Sequence, residues 1–254
     1  NPPVVEVVIG VQFEPLQKLQ TPHIGLFWET VRSTYPTCSE NPPIVPQIEA
    51  FDTPGKLRDG RLALTSVPPL PRVFFEHQTH EWITQVQRDR FLHNWRASTG
   101  ESVYPRYPAV RKEFLSQWEN FQRFAAEHDL GEVRPTQLEI TYLNHIHPWT
   151  ESSEVGEVFP DFRWRGGERS LGKPETCSIS STFKSEDGCS RLRASVKPVS
   201  HHEKGYVLQF SLTVRGMPED GDLAKWFDDG RCWIVTAFAD LTSHEWHGKW
   251  GLER

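Results

Sequence analysis

Histidines, carboxylates and arginines are the side chains whose spacing could support chemistry in this chain. His145 and His147 stand two apart in an alternating run, so both project from one strand face. That spacing suits two ligands of a zinc-type centre, with Glu139 and Thr141 on the same face behind them. A pair of solvent-side histidines is the stronger reading. The matching positions of the first strand, Gln12 and Glu14, look like ordinary surface residues. His244-Glu245-Trp246-His247 falls one residue short of the H-E-x-x-H pattern of zinc proteases, and no third ligand accompanies it. His201-His202-Glu203 precedes Gly205 and reads as an exposed loop. The P-loop, the G-x-G-x-x-G turn and the G-x-S-x-G elbow are all missing, and Gly166-Gly167 is a turn with no phosphate-binding helix after it. Neither a metal nor a cofactor is therefore expected. Glu6 and Glu139 occupy matching strands, and a pseudo-twofold would bring them together as an acid/base pair. Ion pairing with arginines, or plain solvation, is the simpler alternative for both.

The run Trp82–Arg96 carries more information. Read as one strand, with Phe91 matched to Phe210 and Trp95 to Val214, it places Gln85, Gln87 and Asp89 on the core side. The corresponding positions of the second half hold Tyr206 and Leu208. Buried Gln and Asp cost several kcal/mol unless hydrogen-bonded. They must line a ligand pocket or clamp a neighbouring loop, and the clamp is favoured. The opposite face is basic and hydroxyl-rich. It gathers Ser180, Thr182, Lys184, Arg191, Arg193, Ser195 and Lys197, then Gln209, Ser211, Thr213 and Arg215, with Arg88 and Arg90 from the first half. The chain has 28 Lys and Arg against 34 Asp and Glu, a net charge of −6, which argues against a surface that binds nucleic acid along its whole extent. A local basic face would suit phosphates or an acidic protein partner. No aromatic residue on it offers a stacking platform, which weighs against nucleic acid. A solvated outer face is the competing account. The candidate ligand-binding residues are Gln87, Arg88, Asp89, Arg90, Arg193 and Arg215.

The elements that must position these groups come in a repeated order. Val5, Val7, Ile9, Val11 and Phe13 alternate along a strand over 4–13. Pro22 opens a helix that stops before Pro36, and extended runs follow at 44–51, 61–67, 72–77 and 82–95. A long helix is predicted over 109–128, with Val110, Phe114, Trp118, Phe121 and Phe124 as its apolar stripe. The order then restarts: a strand over 138–146, a short segment at Val155-Gly156, extended runs at 162–165, 176–184, 191–197 and 206–215, and a closing helix over 223–247. Setting Glu6 against Glu139 aligns Val7 with Ile140 and Phe13 with Ile146. The expectation is an α+β fold, a curved antiparallel sheet with helices on one face. It is built from two pseudo-repeated halves, 1–130 and 131–254, that form one unit. In element order it resembles the saddle of the TATA-binding protein and the helix-grip class, an analogy that carries no function.

Four cysteines occur, none in a C-x-x-C pair. Asp187-Gly188 is a two-residue hairpin signal that pairs Phe183 with Leu192, Ser181 with Ala194 and Ile179 with Val196. Cys189 then lies at the turn and Cys177 at the far end, beyond the reach of a disulfide. Four reduced thiols fit a cytoplasmic protein. No apolar run is long enough to cross a membrane, and the first residues lack a secretory signal.

The opening PPVVEVVIGVQFEPL, Gly25-Leu26-Phe27-Trp28, the central QVQRDRFLHNWR, Tyr104-Pro105-Arg106-Tyr107, the strand QLEITY at 137–142, and the closing Leu241-Thr242 and Trp250-Gly251 form a set. Together they resemble a sporadically distributed prokaryotic family of full-length proteins with no established activity. The resemblance covers nearly the whole chain and implies a single unit. The distribution is of the kind that mobile and defence-associated genes show. The function expected is a non-catalytic binding protein using the open sheet face or the cleft between halves. Its ligand would be a protein partner, a phosphorylated small molecule or a nucleic acid. The alternative is a hydrolase using carboxylates or a histidine-bound metal.

Overall fold

Odd-numbered residues of the first strand, β1 (Val4–Phe13), are apolar, and Val7, Ile9, Val11 and Phe13 are buried. The same alternation sets the whole sheet. The computed structural model of the protein describes residues 2–51, 57–58, 70–146, 155–163, 170, 176–201, 205–217 and 221–251. Its further strands are β2 (Thr37–Asn41), β3 (Ile48–Glu49), β4 (Leu57–Arg58), β5 (Arg72–Glu76), β6 (Trp82–Gln87), β7 (Arg90–Arg96), β8 (Pro135–Ile146), β9 (Ile179–Lys184), β10 (Ser190–His201) and β11 (Gly205–Gly216). The helices are α1 (Thr21–Val31), α2 (Tyr107–Glu127), α3 (Val155–Val158), α4 (Leu223–Leu241) and α5 (His244–Trp250). Among the described residues none of them is long and apolar enough to cross a membrane.

The fold is α+β. Among the described residues nine strands form one open antiparallel sheet in the order β2-β5-β6-β7-β1-β8-β11-β10-β9, and β3 and β4 form a separate two-stranded ladder. The order runs outward in both directions from the β1/β8 pair at the centre. β1 is flanked by β7 and β8 by β11; β6 and β5 continue from β7 by hairpins to β2 at one edge, and β10 and β9 continue from β11 to the other. One face is apolar. Phe91 packs against Trp118 and Phe121 of α2, at 5.5 and 5.2 Å between ring centroids. Phe210 stacks at 5.7 Å on Phe238 of α4, and Phe114 of α2 meets Phe227 of α4 edge-on at 5.1 Å. Rings of this size bury enough apolar surface to dominate the core.

The hairpin of β9 and β10 has the expected register, with Phe183 opposite Leu192 and Ile179 opposite Val196. None of the four cysteines is joined in a disulfide. Several expectations need correction. The run 82–95 is not one strand. It turns at Arg88-Asp89, with Gln87 opposite Arg90. The turn is fixed from outside, because the N–H groups of Phe13 and Leu16 donate to the carbonyls of Asp89 and Arg88, both at 3.0 Å. The closing helix breaks at Thr242-Ser243, where Thr242 is extended. There the Ser243 N–H donates to Val158 O at 2.8 Å and its hydroxyl to Glu157 O at 2.8 Å, which docks the break onto α3. Strand β2 was not anticipated, and the 162–165 run begins in a 3₁₀ turn over Pro160–Phe162. The predicted strand at 61–67, the Gly166-Gly167 turn, His147 and His202-Glu203 lie outside the described residues.

Candidate functional site

The turn at Arg88-Asp89 reverses the face assignment of its neighbours. Val86 joins the helix-side core, so Gln85 and Gln87 point to the other face, together with Arg90. They do not lie on the core side, and Arg90, the cross-strand partner of Gln87, shares its face. That face carries a buried polar network. Arg72 Nη1 donates to Gln85 Oε1 (3.1 Å), Gln85 Nε2 to Asn94 Oδ1 (2.8 Å) and Asn94 Nδ2 to Glu6 Oε1 (2.7 Å). Leu92 fits into this row because Gly10 lies opposite it. A Cβ on Gly10 would come within 2.2 Å of the Leu92 side chain.

The basic set shares one face, as the register of β9, β10 and β11 requires. It is not an open field. A segment from Ile44 to Phe51 crosses it from β6 past β1 and β8 to β10. At one end Ile44 exchanges two hydrogen bonds with the Gln87 side chain of β6, N–H to Oε1 and Nε2 to O, both at 2.8 Å. In the middle Gln47 does the same with Gln12 of β1, at 3.1 and 3.2 Å, and its carbonyl also accepts from Gln137 Nε2 of β8. The Glu49 N–H donates to Gln137 Oε1 at 2.8 Å. At the far end the Glu49 carboxylate, whose side chain is fully buried, accepts from Arg193 Nε and Nη2 (both 2.8 Å) and from Arg191 Nη1 (3.1 Å) of β10. The Arg191 guanidinium also lies over the Phe51 ring, 4.9 Å from its centroid. The strap therefore spans the β1/β8 pair at the centre of the sheet.

A second carboxylate sits at the centre. Glu139 Oε2 accepts from Arg215 Nε at 2.9 Å, and Oε1 lies 3.8 Å from Arg90 Nη1. Burial alone would raise the pKa of Glu139, but Arg215 and Arg90 outweigh it and hold the carboxyl below its ordinary range. Burial lowers the pKa of Arg90, opposed by Glu139 and Asp89. The hydrogen bond to Glu49 raises that of Arg193. Arg90 Nη2 also donates to Gln12 Oε1 at 2.7 Å, so the arginines and the glutamines belong to one network.

Of the candidate residues, Gln87 is buried and donates to Asp89 Oδ1 at 2.7 Å, Arg90 and Arg215 meet at Glu139, and Arg193 meets Glu49. Arg88 stands apart, in the turn, with Nη2 3.4 Å from the Leu19 carbonyl. Sequence reasoning missed Glu49, Gln12 and Gln137. Glu49 lies in the proline-rich run 44–51, read only as an extended segment; Gln12 looked like an ordinary surface position, and Gln137 entered only as part of the strand QLEITY. Glu6 and Glu139 do not come together. Glu6 pairs with Leu143 and Glu139 with Gly10, four residues apart along β1, or ~13 Å. Each is instead committed to its own partners, Asn94 and the arginines.

Among the described residues no three metal-ligating side chains gather. His247 Nε2 contacts Thr242 Oγ1 at 2.8 Å, within the helix break. His93 is fully buried on the helix side, and burial pushes its pKa down to about 3, so it is neutral at physiological pH. A groove of about 520 Å³ opens elsewhere, between β9 and α4, with Phe183, Trp233, Ala237 and Leu241 as its apolar lining and Lys184, Ser185, Glu186, Thr236 and Asp240 as its polar lining. Protein-family models, curated proteins and solved structures yield no match to this chain, so the functional reading rests on the polar face itself.

Proposed function

We propose that the protein is a non-catalytic binding protein that holds an acidic segment of a protein partner on the sheet face opposite its helices. One observation carries this reading. Arg191 and Arg193 grip a buried carboxylate through three hydrogen bonds, with Arg90 and Arg215 beside them, in a chain of net charge −6. The fork of Arg193 is the geometry in which guanidinium recognises a carboxylate. A protein partner is favoured over a small phosphate or a nucleic acid because glutamine amides line the same face and pair with backbone rather than with phosphate.

Further support comes from the architecture. The strand order reads outward from the β1/β8 seam, and Val8 lies opposite Thr141, the residue that the Glu6/Glu139 alignment assigns to it. Both support two pseudo-repeated halves, 1–130 and 131–254, in one saddle-like unit with its face at the seam. The absence of a disulfide among the four cysteines supports a reducing compartment, the cytoplasm.

The test is affinity capture with the tagged full chain, in parallel with Arg193→Gln. A partner retained by the wild type, released as salt rises and lost with Arg193→Gln is the expected result. Capture that ignores Arg193 would refute the reading. Stoichiometric zinc or manganese in the purified protein would favour the hydrolase instead.

A further inference from the structure

The strap on the polar face is held by groups that would hold any extended peptide. Gln87, Gln12 and Gln137 address its backbone alone, through the N–H groups of Ile44, Gln47 and Glu49 and the carbonyls of Ile44 and Gln47. None of these bonds reads a side chain. The side chain that is read is Glu49, by the two arginines. The strap's own apolar contribution is small, since Val45 is 52% exposed, Ile44 and Ile48 are half-buried, and only Ala50 is a buried apolar residue. Pro42, Pro43 and Pro46 remove backbone donors and favour an extended chain, and the segment's ladder is the two-residue pairing of β3 with β4. Replacing this segment by another extended acidic one exchanges backbone amide for backbone amide and carboxylate for carboxylate. What a competitor lacks is mainly the effective concentration that tethering gives the strap.

We propose that residues 44–51 are an internal stand-in for the partner. The chain's own acidic segment closes the face, and an extended, carboxylate-bearing segment of the partner displaces it. The inference rests on the reading of this face as a protein-binding surface. It specifies what that surface recognises, an extended backbone with one acidic side chain, and the contact that regulates access.

The probe is a fluorescent synthetic peptide with the sequence of residues 43–51, PIVPQIEAF. The full chain carrying Glu49→Gln should bind it at least tenfold more tightly than the wild type, because its own strap no longer competes with a carboxylate. Adding Arg193→Gln should abolish that gain, and a peptide with Gln in place of its Glu should bind at least tenfold more weakly. A second measurement uses the unmodified protein and so stands even if Glu49→Gln does not fold. Saturating peptide should accelerate hydrogen exchange at the amides of Ile44, Gln47 and Glu49. Equal affinity of wild type and Glu49→Gln, no binding to either, or strap amides untouched by saturating peptide would each overturn the inference. Dimerisation of the Glu49→Gln chain that the peptide reverses would also overturn it, in favour of strap exchange between two copies. If the strap fails in any of these ways while partner capture still depends on Arg193, the protein-binding reading stands without it. If capture also ignores Arg193, both fall.

Discussion

Glu139 gives the polar face its sharpest test, because it lies on a central strand of the sheet, where opening of the strap alone does not free it. Its side chain is 7% exposed, with Arg215 Nε at 2.9 Å and Arg90 Nη1 at 3.8 Å. Glu139→Gln keeps the shape, removes the charge and turns an NH₂ group towards guanidinium donors. Removing one member of a buried ion pair costs about 3–5 kcal/mol. The Arg215 side chain is 14% exposed and can recover some hydration, and the Arg90 contact is longer than a hydrogen bond. A loss of about 3 kcal/mol at pH 7, the low end of that range, is therefore expected in urea denaturation. The pH dependence supplies a sign. Burial would raise the pKa of Glu139, but Arg215 and Arg90 hold it below the ordinary value of 4.5. A carboxyl depressed in the folded state contributes stability that is fully present above its unfolded pKa and lost as pH falls through its folded pKa. The stability gap between wild type and Glu139→Gln should stay constant from pH 7 to about pH 5 and narrow below that, since the glutamine has no proton to gain. A loss below about 1 kcal/mol at pH 7, the range of an exposed pair, would refute the buried-pair argument. So would a gap as wide near pH 3 as at neutrality.

Asp89→Leu removes one of the two acceptors of Gln87 Nε2, the other being the Ile44 carbonyl, on a half-buried turn and should cost ~1 kcal/mol in the same assay, with faster exchange at the Ile44 amide that Gln87 holds. No change in either would mean that Gln87 does not need Asp89 to grip the strap. Phe91→Ala empties a fully buried site between Trp118 and Phe121 and should cost about 3–5 kcal/mol, read as a lower urea midpoint at unchanged slope. All four cysteines should titrate as thiols in the denatured, unreduced protein, and a Cys177–Cys189 bond found by mass mapping would contradict the β9–β10 register.

The sequence by itself determined what depends on short-range periodicity. Alternation at period two marked the buried faces of β1 and β8, and an Asp-Gly turn fixed the β9–β10 register residue by residue. It also placed the arginines on one sheet face, since a side chain's face follows from its parity along the strand. Only the tertiary structure decided what meets that face. Glu49 lies 142 residues before Arg191, in a run that the sequence marks only as extended, so no local pattern announces that it lands between two guanidiniums. The placement of Gln85 and Gln87 depended on the turn at Arg88-Asp89, which is held by N–H groups from the end of β1 and the loop beyond it. A turn spends two residues outside the ladder, and a strand read straight through it assigns the residues before it to the wrong face. Gln12, which is buried, read as a surface residue because no local pattern shows what covers it. A polar side chain on the outer face of a sheet is solvated unless a distant segment of the chain covers it, and here the strap does.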